Sequence, residues 1–98
     1  MKTERTTFGN IFYLLDDNGK IIGIQINPGR FERKYCVGDA VKVTGDIYGY
    51  ICPGITSPGT GKIIEVHRDS TDGFFTVEME NGDIGYSVKA DRLEIIKS

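Results

Sequence analysis

Two Asn-Gly pairs, Asn18-Gly19 and Asn81-Gly82, each stand between apolar runs, and this pattern constrains the chain more than any other feature. Asparagine and glycine both tolerate positive φ, so Asn-Gly flanked by strand-forming sequence closes a tight hairpin. Before the first pair lies Ile11-Phe12-Tyr13-Leu14-Leu15. After it comes Ile21-Ile22-Gly23-Ile24-Gln25-Ile26, where Ile22, Ile24 and Ile26 alternate onto one face. Around the second pair, Phe75, Val77 and Met79 alternate with Thr76, Glu78 and Glu80, and Ile84, Tyr86 and Val88 line one face of the following strand. Composition agrees. Isoleucine and valine number 19, against five for leucine plus alanine, and β-branched side chains are stiff at χ1 and pack well on a pleated surface. A helical bundle, a coiled coil and a disordered tail are thereby excluded, and 98 residues allow one domain.

The remaining punctuation places further strands. Asn27-Pro28-Gly29 stops the second apolar run, because proline cannot continue a ladder. Arg30-Phe31-Glu32-Arg33-Lys34-Tyr35 reads as a mixed-charge connector, and residues 1–7 as a polar start. Gly38-Asp39 leads into Val41 and Val43. Residues 45–61, rich in Gly, Pro and Tyr, read as a long loop or irregular hairpin. Ile63-Ile64-Glu65-Val66-His67 is a strand, Asp69 to Gly73 a turn, Ala90-Asp91-Arg92 a single 3₁₀ turn, and Leu93-Glu94-Ile95-Ile96 a closing strand.

Gly38-Asp39-Ala40-Val41-Lys42-Val43, followed by Pro58-Gly59-Thr60-Gly61-Lys62-Ile63, resembles the opening of a KOW-type SH3-like barrel. The run from Phe75 to Asp83 and the ending Asp91-Arg92-Leu93-Glu94-Ile95 are similar to a family of short SH3-like chains of unknown function. The expected fold is therefore all-β, a five-stranded SH3-like barrel over residues 35–98 preceded by an N-terminal β-hairpin and connector over residues 1–34. The resemblance fixes a fold more than an activity, and its KOW part implies binding of nucleic acid.

Charge and chemistry narrow the function. Residues 1–35 carry six basic and four acidic side chains, residues 36–98 six and ten, whereas a dedicated phosphate-backbone binder is basic overall. Thr60-Gly61-Lys62 lacks both the upstream glycine and the following hydroxyl of a P-loop, with Thr56 and Ile63 in those places. Asp16-Asp17-Asn18-Gly19 read as a calcium loop would put Leu14 and Gln25 at its terminal ligand positions, so it is a turn. Cys36, Cys52 and His67 have no zinc-ligand spacing. No local feature activates a nucleophile, so neither a metal, a cofactor nor an enzyme is expected. No membrane-spanning run or secretory signal is visible, and the expected compartment is the cytoplasm, with both thiols reduced.

A binding module remains. Tyr48 and Tyr50, interleaved with glycine in the long loop, offer amphipathic contact area of the kind binding loops use; the competing expectation is that these rings fold back onto the core. Phe74 and Phe75 are adjacent on a strand, so one of them is expected to be exposed. The expected partner is a protein, contacted through Tyr48, Tyr50, Phe74, Phe31 and Tyr35, with no membrane involved. The alternative is single-stranded RNA or DNA, held by Arg30, Arg33, Lys34, Lys42, Lys62 and Arg68, where cations would follow the backbone and rings would stack on bases. The absence of tryptophan argues against a proline-peptide-binding SH3 domain.

Overall fold

The first Asn-Gly pair does close a hairpin. In the computed structural model, which describes residues 2–6, 10–26, 33–68 and 74–96, β2 (Ile11–Leu15) and β3 (Ile21–Ile26) are antiparallel neighbours. They are the centre of a four-stranded sheet whose edges are β1 (Lys2–Arg5) and β4 (Arg33–Cys36), in the order β1-β2-β3-β4. Two expectations are corrected here. The polar start and part of the charged connector are strands, and the N-terminal hairpin is a four-stranded sheet. Neither edge has an apolar alternation because its side chains largely face water. Of β4, only Tyr35 is buried. Charged edges of this kind also discourage pairing with other chains.

A second antiparallel sheet holds β5 (Ala40–Val43), β6 (Gly59–Val66), β7 (Phe75–Met79), β8 (Ile84–Val88) and β9 (Leu93–Ile95), in the order β8-β7-β6-β5-β9. The Ala90–Arg92 3₁₀ turn feeds β9. The all-β expectation stands, with nine strands in two sheets among the described residues. Among the described residues β8 and β9 stand at the two ends of this five-stranded sheet and do not pair with each other.

The sheets share one core. Tyr13, Ile24 and Tyr35 from the first meet Val41, Val43, Ile63, Phe75, Val77, Val88 and Leu93 from the second. Burying each of the larger apolar side chains contributes about 1.5–3 kcal/mol. The aromatic rings join the layers: Tyr35 and Phe75 have centroids 5.5 Å apart, and Tyr13 lies edge-on to Phe74 at 6.3 Å. A register shift between Leu14 and Leu15, which pair with Gly23 and Ile21, leaves Ile22 without an opposite residue. The expected alternation of Ile22, Ile24 and Ile26 is thus broken. Ile21, not Ile22, packs beside Ile24 and Ile26 against the core.

Between the sheets the chain turns a corner at residues 37–39. The Val37 N–H donates to the Ile22 carbonyl (2.8 Å) in the first sheet, and the Gly38 N–H to the Ile63 carbonyl (2.8 Å) in the second. The corner hands the chain from β4 to β5, and the two sheets diverge on either side of it.

Candidate functional site

Three five-residue turns in this protein share one backbone. In Asp16–Lys20, the Asp16 N–H donates to the Lys20 carbonyl (2.9 Å) and the Gly19 N–H to the Asp16 carbonyl (3.1 Å). In Asp46–Tyr50, within the long loop, the same two bonds are 2.8 and 2.9 Å. In Met79–Asp83 they are 2.8 and 3.0 Å. The fourth residue is glycine each time, with φ of 81°, 82° and 96° for Gly19, Gly49 and Gly82, a region that a Cβ disfavours.

The first two turns agree further. Asp16 Oδ1 accepts from the Asn18 and Lys20 N–H groups, both at 2.9 Å. Asp46 Oδ1 accepts from the Tyr48 (2.8 Å) and Tyr50 (3.0 Å) N–H groups. Those donors, Tyr50 first and Tyr48 second, hold the Asp46 carboxyl below the usual carboxylate range, because they stabilise its ionised form. The turn is thus pinned by one carboxylate and one glycine, and its other side chains are free of structural duty. In Asp46–Tyr50 those side chains are apolar. Ile47 is 90% exposed, Tyr48 87% and Tyr50 57%.

The next residues do the opposite. Ile51, Cys52 and Ile55 are buried in the core, with Cys52 and Ile55 bridged. They lie on Gly85 of β8, where a Cβ would come within 2.6 Å of Ile55 Cδ1 and 2.8 Å of Cys52 Sγ. The loop therefore has a seated half, residues 51–55, and a projecting half, residues 46–50. The Tyr48 and Tyr50 rings do not fold back as a cap; the aliphatic residues beside them do.

Two other residues expected at a contact surface are placed elsewhere. Tyr35 is 3% exposed, a core ring against Phe75. Phe74 and Phe75 are both buried, contrary to the expectation that one would be exposed, because Tyr13 of the first sheet covers Phe74. Phe31 and Arg30 lie outside the described residues. Ile47 was missed by sequence reading, although an Asp three positions before a Gly marks both projecting turns.

Among the described residues the expected cations do not gather. Lys42 and Lys62 share the outer face of the second sheet, but Lys42 stands opposite Glu94 and Lys62 opposite Glu78. Arg33 and Lys34 are on β4, the edge of the other sheet. Arg68 forms an ion pair with Glu4 and lies 5.2 Å from the Tyr13 ring centroid, so it ties the sheets together.

At the opposite end of β6, the divergence of the sheets leaves an open groove of about 530 Å³ lined by Gly19–Ile22, Val37 and residues 64–68. It contains His67. Glu65 Oε1 is 3.4 Å from His67 Nδ1, and His67 Nε2 is 2.5 Å from Thr76 Oγ1. The order carboxylate, imidazole, hydroxyl is that of a nucleophilic triad. Thr76, however, is 3% exposed, so its oxygen is out of reach of a substrate carbonyl, and the imidazole serves to satisfy a buried hydroxyl. Burial pushes both thiols up from their ordinary range, Cys36 also through the nearby Asp39 carboxylate, which keeps them protonated and weakly nucleophilic at neutral pH. Among the described residues no group of three His, Cys, Asp or Glu is placed to hold a metal ion, and no helix is long and apolar enough to cross a membrane.

Comparison with protein-family models, curated proteins and solved structures finds no match to this chain. Its function has to be argued from its own surfaces.

Proposed function

We propose that this protein is a non-enzymatic binding module that docks onto another protein through the Ile47–Tyr50 tip of its long loop. One observation carries the reading. The turn geometry needs only Asp46 and Gly49, as Asp16–Lys20 demonstrates with Asp17 and Asn18 in the corresponding places, yet the loop presents Ile47 and Tyr48 to water at that position. Large apolar side chains on a pinned turn lose little conformational entropy on binding and provide the anchors that dominate interfaces. The order β8-β7-β6-β5-β9, with a 3₁₀ turn before the last strand, supports an SH3-like origin for the second sheet. Nucleic-acid binding has weaker support, since Lys42 and Lys62 are each faced by a carboxylate.

A matched pair of photo-crosslinking residues tests this, one at position 48 and one at position 18, in the same cells. Adducts of one discrete size from position 48 alone are expected. Equal adducts from both positions, adducts to RNA only, or none at all would remove the tip as a protein-docking site.

A further inference from the structure

We infer that the groove between the two sheets accepts an extended peptide segment as an added β-strand on the open edge of β6. The edge is open because of the corner. On one side β6 is paired to its end: Val66 opposes Phe75, and the His67 N–H donates to the Phe74 carbonyl (2.7 Å). On the other side its pairing with β5 starts from Val43↔Gly59 and reaches Ala40↔Lys62. It ends at Ile63, whose N–H meets the Asp39 carbonyl (3.1 Å) and whose carbonyl meets the Gly38 N–H. Among the described residues nothing pairs β6 on that side beyond Ile63, since the preceding residue, Val37, already belongs to the first sheet.

Backbone groups alternate in direction along an antiparallel strand. The His67 N–H points to β7, so the Val66 N–H and carbonyl point into the groove. They are one donor and one acceptor spaced for a passing strand. This is the recognition mode in which main-chain bonds give affinity and alternate side chains give specificity.

The walls define the occupant. Ile22, freed from the core by the register shift on β3, Val37 at the corner and Ile64 on β6 are the apolar part of a lining that also holds Lys20, Glu65, His67 and Arg68, and Val37 and Ile64 are both exposed. The stretch of β6 beyond Ile63 that lines the groove, residues 64–67, matches an extended segment of about four residues, some 13 Å long at roughly 3.3 Å per residue. Charge gives the polarity. Glu65 is beside His67 and Arg68 beside Glu4, while Lys20, on the groove's opposite wall, has no ion pair among the described residues. The occupant is therefore a peptide of alternating apolar side chains with a carboxylate at the Lys20 side. This surface is at the far end of β6 from the Ile47–Tyr50 tip and does not depend on the tip binding anything.

Selection of short random peptides against the full chain tests the proposal, with the native protein's amide resonances as the map. Enriched peptides are expected to alternate apolar residues, to carry Asp or Glu, and to shift Ile21, Ile22 and residues 64–68 rather than residues 47–50. N-methylation of the peptide amide that meets Val66 should weaken binding about tenfold, the value of one lost hydrogen bond at the upper end of its usual range, while methylation of its neighbours should not. Ile64→Glu should abolish binding, and Lys20→Glu should exchange the preference for Asp or Glu for one for Lys or Arg. Ile64 is a surface residue, and the methylated peptides probe the unaltered protein should that variant not fold. No enriched peptide, shifts confined to the loop tip, or tolerance of every N-methyl group would overturn the proposal.

Discussion

Asp16–Lys20 joins β2 to β3 and shows Asp17 and Asn18 to solvent, while Asp46–Tyr50 closes with the same four hydrogen bonds and shows Ile47 and Tyr48. The first turn continues directly into paired strands. The second stands on a support, residues 51–55, whose Ile51, Cys52 and Ile55 side chains plug the core beside β8. The comparison separates what a turn requires from what a surface is for. An aspartate and a left-handed glycine make the turn, and the residues between them are left to solubility in one case and to contact in the other.

The largest expected effect comes from removing the support. Gly54 has φ of 99°, and a Cβ there would run into the Ile84 carbonyl of β8. Gly54→Ala should cost about 2–4 kcal/mol by denaturant unfolding, from backbone strain and overpacking together. A cost near zero would mean that residues 51–55 are not seated on β8. Next come the two turn glycines. Gly19 and Gly49 have nearly equal φ and open space around the absent Cβ, so Gly19→Ala and Gly49→Ala should each cost about 1 kcal/mol. Unequal costs would break the equivalence of the turns.

Exchanging the tips should be smaller still. Replacing Ile47 by Asp and Tyr48 by Asn, the pair found at 17 and 18, should leave stability within about 0.5 kcal/mol of the native value, and Ile47→Asp alone should weaken the crosslink made from position 48. A large loss of stability would return these side chains to the core. The smallest effect is electrostatic. The Asp46 carboxyl titrates lower in the folded chain than in the unfolded one, so its contribution is complete above the unfolded value and fades as pH falls through the folded one. The Tyr48 and Tyr50 amide resonances should be constant above about pH 4 and move only below it. Movement near neutral pH would assign their environment to another group.

Much of the second sheet was legible where its strands alternate: Phe75, Val77 and Met79 face the core and Glu78 faces water. But Thr76, expected on the wet face, is buried, and Tyr86, expected beside Val88, is exposed, because register shifts interrupt the pairing of β6, β7 and β8. The first sheet was half legible. β1 and β4 are edge strands with wet side chains, and a strand without a buried face has no period of two to read. The candidate tip was legible in Tyr48 and Tyr50 but not in Ile47, because an isoleucine in a β-rich chain looks like core until the turn is seen to point it outward.

By itself, the sequence determined the class of the protein, its hairpins and most of its core, since these follow from local turn chemistry and from side chains that alternate within one strand. Tertiary structure alone decided which aromatics are covered. Phe74 is buried by Tyr13 and Tyr35 by Phe75, contacts between segments distant in the chain. It also decided that the long loop divides into a seated and a projecting half, and that no described residue pairs β6 on its β5 side beyond Ile63. Those outcomes depend on which surface another part of the chain comes to occupy, and no local pattern records that.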